Sequence, residues 1–137
     1  MSPVNLNFLC RILVVDDDVV SRAALSAILS REGYDVVQAG NSEQAIALFR
    51  RRPFDLVITE LNLEGKDSFE MIAELRREPY CARFIGLVRA EWMSADFCLR
   101  KTEELGAQAV FAKPFPPEQL LPAVRTSLGL TQVPATD

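Results

Sequence analysis

Short apolar runs and helical patterns alternate five times along the chain. Arg11-Ile12-Leu13-Val14-Val15 is a β-branched run that stops at three aspartates, Asp16, Asp17 and Asp18. From Val19 to Glu32 apolar residues recur at Val20, Ala24, Leu25, Ile28 and Leu29, a helical spacing closed by Gly33. Tyr34 to Ala39 reads as a second strand. Asn41, with Gln44 three residues on, has the form of a capping box and opens a helix through Ala45, Ile46, Leu48 and Phe49 that Pro53 closes. Asp55-Leu56-Val57-Ile58-Thr59-Glu60 is a near-continuous apolar run ending in a carboxylate, as expected of a strand buried on both faces. Asp67 or Ser68 caps a third helix with Phe69, Met71, Ile72 and Leu75 inward. Phe84 to Val88 is the fourth strand and Glu91 to Leu105 the fourth helix, ended by Gly106. Gln108 to Ala112 is the fifth strand, followed by Lys113-Pro114. Pro116 and Pro117 start a last helix through Leu120, Leu121, Val124 and Leu128.

Five strands alternating with five helices on short connections predict βαβ units and a parallel sheet covered on both faces. The expected architecture is α/β, a flavodoxin-like doubly wound five-stranded sheet; the order 2-1-3-4-5 is the expectation for that class, which periodicity alone does not fix. Residues 1–10 read as an N-terminal extension, 11–129 as one domain, and 130–137 as a flexible tail or linker stub.

Composition narrows the function classes. The 137 residues are 49% hydrophobic and 25% charged, as in ordinary globular domains. Fifteen basic residues against nineteen acidic give a net charge of −4 with no basic block, so direct nucleic-acid binding is not expected. No apolar run approaches the roughly 18 residues of a membrane span, and residues 1–10 lack the form of a signal peptide. Cys10, Cys81 and Cys98 have no C-x-x-C spacing and there is no histidine, which argues against a disulfide framework or a zinc site. A cytoplasmic, reduced setting is the expectation.

The candidate chemistry gathers at strand ends. Asp16, Asp17 and Asp18 follow strand one, Glu60 ends strand three and Lys113 follows strand five. In the order 2-1-3-4-5 these groups share one crevice. Carboxylates so placed must hold a cation, pair with the lysine or shift their pKa, and oxygen-only ligands suit Mg²⁺. The simpler role open to any one of the aspartates is to cap the following helix.

The segments RILVVDDD, DLVITE and FAKPF, in that order and at these separations, resemble the receiver domain of two-component response regulators over about residues 11–129. The resemblance implies Mg²⁺ on two acids after strand one, matched by Asp16 and Asp17. It implies phosphate transfer from a histidine kinase to an aspartate ending strand three, and a lysine before proline that contacts the phosphate, matched by Lys113. Asn62 falls where the family offers a backbone carbonyl to the metal. The departures are Glu60 for the phosphoacceptor aspartate, Val88 for the hydroxyl residue ending strand four, Arg89 for the small residue after it, Val110 for the strand-five aromatic, and Glu64 for a loop proline.

Three readings follow. In the first, the chain is a degenerate receiver, not an enzyme, acting by protein contact without phosphorylation. In the second, Glu60 is a permanent mimic of the phosphorylated state. In the third, a Mg²⁺-dependent phosphohydrolase uses the D-x-D spacing of Asp16 and Asp18, although strand four offers no Ser or Thr at Val88. Arg89 is expected to fold over the pocket onto Glu60 or an aspartate. Mg²⁺ at Asp16, Asp17, Glu60 and Asn62 is expected to be weak or absent. Partners implied by the resemblance are a histidine kinase, an output domain or another regulator, docking on the helix 4, strand 5 and helix 5 face, where Trp92, Met93 and Phe97 cluster. Homodimerisation is left open.

Overall fold

The computed structural model describes residues 6–62, 68–77, 83–89, 94–114 and 116–129. After a 3-10 turn at Asn7–Leu9, the order is β1 (Arg11–Val15), α1 (Val19–Arg31), β2 (Asp35–Ala39), α2 (Ser42–Arg51), β3 (Leu56–Glu60), α3 (Ser68–Arg76), β4 (Arg83–Arg89), α4 (Ala95–Leu105), β5 (Ala109–Lys113) and α5 (Pro117–Ser127). The five strands form one parallel sheet in the order β2-β1-β3-β4-β5. This is the flavodoxin-like architecture expected from the alternation of elements.

Strand alternation divides the core in two. Leu13, Val57, Phe84 and Val88 face α2 and α3. Ile12, Val14, Leu56, Ile58, Ile85 and Leu87 face α1 and α5. Because side chains two apart share a face, residues 16, 60, 89 and 113, each next in phase after Val14, Ile58, Leu87 and Phe111, project on the α1/α5 side. All four stand at the carboxyl edge of the sheet.

Local chemistry sets the helix starts. Asp18 caps α1: its Oδ1 accepts from Val20 N at 3.0 Å and its Oδ2 from the Ser21 hydroxyl at 3.1 Å. Asn41 caps α2, its Oδ1 accepting from Gln44 N at 2.8 Å, while Gln44 Oε1 reaches back to accept from Gly40 N at 2.8 Å. Such a cap stabilises by about 1 kcal/mol. At Gly86 the missing side chain matters: a Cβ there would lie 2.9 Å from Leu61 Cδ1, so the glycine lets the chain just after Glu60 pack down on β4.

Two helical expectations change. Val20 and Ala24 belong to the apolar pattern of α1, yet both are exposed, Val20 by 76%, and only Leu25, Ser26 and Leu29 are fully buried. Nine residues are about two and a half turns of helix, so Val20 lies on the opposite side of α1 from buried Leu29. The fourth helix begins at Ala95; residues 90–93 of its expected first turn lie outside the described residues.

Candidate functional site

At the carboxyl edge of the sheet two buried carboxylates converge on one ammonium. Asp16 is 2% exposed and Glu60 not at all. Lys113 Nζ donates to Asp16 Oδ2 at 2.6 Å and lies 2.7 Å from Glu60 Oε2. The second approach is a close ion pair whose angle departs from that of a directed hydrogen bond. The remaining oxygens turn to backbone: Asp16 Oδ1 accepts from Asp18 N at 2.9 Å, and Glu60 Oε1 from Asn62 N at 3.4 Å. Burial alone would lower the pKa of the Lys113 ammonium, but the close contacts and charges of Asp16 and Glu60 together outweigh it and raise the pKa above its ordinary value.

The three aspartates after β1 divide their tasks. Asp16 enters the pocket, and Asp18 caps α1, which holds its carboxyl below the usual range through the Val20 N–H and the Ser21 hydroxyl. Asp17 faces Arg89, whose Nη2 lies 3.9 Å from Asp17 Oδ1. At that distance and with the Arg89 side chain 39% exposed, the pair is worth at most about 1 kcal/mol. The Lys113 contacts, closer and shielded, dominate the pocket.

Asn62 ties the loop after β3 to the neighbouring strand: its Oδ1 accepts from Arg89 N at 3.4 Å, beside its own N–H on Glu60. Ser68 Oγ, buried at the start of α3, donates to Leu61 O at 2.8 Å and fixes the same loop from the other side. Neither contact is legible in sequence, since both depend on where the loop returns.

Two expected positions face away from the acids. Val88 is fully buried among the side chains facing α2 and α3. β4 continues one residue further than the apolar run, and Arg89, in register with Lys113, is the β4 side chain on the pocket's face. Val110 packs partly buried against the α2/α3 core, on the face away from the acids. Of the expected partner surface, Phe97 is partly buried on α4, while Trp92 and Met93 lie outside the described residues, as do Glu64 and the Cys98 side chain; Leu99, which the sequence did not single out, is 64% exposed on the same helix.

As a metal site the donor set fits poorly. Both Asp16 oxygens and Glu60 Oε2 are engaged, and a lysine ammonium stands between the two carboxylates where a cation would compete for them. Among the described residues no group of three or more His, Cys, Asp or Glu side chains is arranged to hold a metal ion. No helix among them is long and apolar enough to cross a membrane.

The geometry has close counterparts. Residues 12–125 match the family model for the response regulator receiver domain. The chain is 36% identical over 116 residues to the transcriptional regulatory protein AruR of Pseudomonas aeruginosa, covering 81% of this chain and 46% of that protein, about half its length. It is 31% identical to sporulation initiation phosphotransferase F of Bacillus subtilis, over 88% of this chain and 94% of that one. Among solved structures, the chemotaxis response regulator CheY4 of Vibrio cholerae superposes with a TM-score of 0.76 at 25% identity, over 86% of this chain and 98% of that one.

Proposed function

This chain belongs to the response regulator receiver domain family, and we propose that it works there without phosphorylation, as a non-enzymatic protein-contact module of two-component signalling. The observation that carries this reading is the state of Glu60: a carboxylate with no exposure, held 2.7 Å from Lys113 Nζ. In the family an aspartate at this place attacks the phosphoryl donor. Glutamate is longer by about 1.5 Å, one carbon–carbon bond, and that length carries its oxygens onto the lysine. In-line transfer tolerates little misplacement; about 1 Å can cost on the order of 100-fold.

The rest of the pocket supports the same reading. At the family's hydroxyl position stands Val88, which has no hydrogen bond to donate, and the next residue, Arg89, brings a permanent cation to the edge of the sheet. Val110 has no ring to swing. Lys113 neutralises Asp16 and Glu60 from within, so Mg²⁺ would have to displace a hydrogen-bonded ammonium and binds weakly or not at all. Docking of a kinase, an output domain or another regulator is assigned to the face of α4, β5 and α5, where Leu99 stands exposed.

A second reading, Glu60 as a permanent mimic of the phosphorylated state, is favoured by the same contact, since the family lysine meets the phosphate as Lys113 meets Glu60. Amide spectra tell the activities apart from a switchable receiver. Millimolar Mg²⁺ with acetyl phosphate should leave the amides of Glu60, Asn62, Arg89 and Lys113 in place; saturable shifts at these four would overturn phosphorylation independence. Glu60→Gln then separates the two readings: the α4 amides move if Glu60 sustains an active state and stay if the surface is fixed.

A further inference from the structure

Among the described residues, five of the six large apolar side chains that stand exposed bracket one helix. Val19 and Val20, 64% and 76% exposed, open α1. Leu6, Phe8 and Leu9 lie at the turn before β1, which Asn7 pins to the end of α1 by donating from Nδ2 to Glu32 O at 2.6 Å. Between these ends the outward stripe of α1 is Val20, Ala23, Ala24 and Ala27, all exposed and spaced as one helix face, opposite buried Leu25 and Leu29. The stripe carries no charge. Arg22 is the one charged residue from Val19 to Ser30, and its guanidinium turns aside to donate to Asp16 O at 2.7 Å and Gln38 Oε1 at 3.2 Å. The outer face of α2, by contrast, carries Glu43, Gln44, Arg50 and Arg51, as a helix facing water does.

The two ends of α1 fit each other. Asp18 is exposed at its start and Arg31 at its end, so two antiparallel copies set each Arg31 toward the acid-rich end of the other. The same arrangement brings the Val19–Val20 end of one copy to the Phe8–Leu9 end of the other. The alanines between them let the two axes approach to about 8 Å. We propose that this chain forms a twofold-symmetric dimer in which α1 packs antiparallel on α1 of a second copy. α1 lies over β1 and β2, at the other end of the sheet from β4 and β5, so this surface is separate from the α4, β5 and α5 face assigned to other signalling proteins.

Sedimentation of the full chain over a dilution series should show a reversible monomer–dimer equilibrium, with the amides of Val20, Ala23, Ala24 and Ala27 shifting as the dimer forms. Ala24→Glu, at an exposed position where glutamate suits a helix, buries an unpaired carboxylate in each copy and should weaken association by about 100-fold or more. Arg31→Glu sets acid against acid at both ends and should weaken it by about tenfold. Adding Asp18→Asn, which caps a helix as well as aspartate does, should recover much of that loss. A chain that stays monomeric up to about 1 mM would overturn a second copy as the occupant and leave the face to a different protein. Dilution shifts confined to α4, β5 and α5, or an Arg31→Glu dimer as tight as the natural one, would overturn the arrangement. The dilution map of the natural chain decides the matter even if Ala24→Glu fails to fold.

Discussion

Lys113 reaches from the end of β5 across β4 to Glu60 at the end of β3, and the two charged groups meet at 2.7 Å inside the protein. Asp16 shares the same ammonium at 2.6 Å. One cation thus compensates two carboxylates that burial would otherwise set against each other.

Removing the lysine should therefore cost more than a surface charge does. Lys113→Met is expected to lower stability by about 3 kcal/mol, the low end for breaking a buried pair because the lysine side chain keeps some contact with solvent. Adding Glu60→Gln to that variant should recover part of the loss, since one of the two orphaned charges is gone. Urea unfolding of the natural chain, both single variants and the double variant measures these differences, and additive losses would contradict the shared compensation.

The lysine also sets an alkaline limit. Its pKa is raised in the folded state, so the protonated form is favoured by folding. The stabilisation is complete below the ordinary value near 10.5 and is lost as pH rises through the higher folded value. Unfolding midpoints should fall above that point for the natural chain and fall less for Lys113→Met. Parallel decline of the two proteins would argue that other groups control the alkaline limb.

A change at Gly86 should reach the site through packing. The Cβ of Gly86→Ala meets Leu61 Cδ1 at 2.9 Å, with Leu61 itself buried and unable to swing into solvent. Such overpacking costs about 1–3 kcal/mol, and the displaced Leu61 should carry the Asn62 amide with it. Thermal unfolding gives the cost, and the shift of the Asn62 amide shows whether the loop moves.

Much of this fold is legible in the sequence because helices and strands announce themselves by period, and because Asn41 with Gln44 marks its own cap. The strand-end acids and Lys113 are likewise visible as charges interrupting apolar runs. Facing is not. A strand buried on both sides is apolar at every position, so nothing in Leu87-Val88-Arg89 alone says which of them share a face with Glu60; the register, which sets Leu87 beside Glu60 and Arg89 beside Lys113, does. The division of Asp16, Asp17 and Asp18 among pocket, surface pair and cap is hidden for a similar reason; the exposure of Val20 is not, since about two and a half turns set it on the opposite side of α1 from Leu29.

The double variant Glu60→Asp with Arg89→Thr tests what the two departures do together. The shorter acid withdraws from Lys113 by about 1.5 Å, and threonine removes the cation that the end of β4 sets beside Asp17 and Lys113. This protein should gain Mg²⁺ affinity and accept phosphate from acetyl phosphate, whereas Glu60→Asp alone should gain less. No gain in the double variant would place the obstacle elsewhere in the pocket.

The most direct test of phosphorylation independence is the intact mass of the natural chain after incubation with acetyl phosphate and Mg²⁺. The mass should remain unchanged. A stable increase of about 80 Da, one phosphoryl group, mapped by fragmentation to Glu60, would contradict the account.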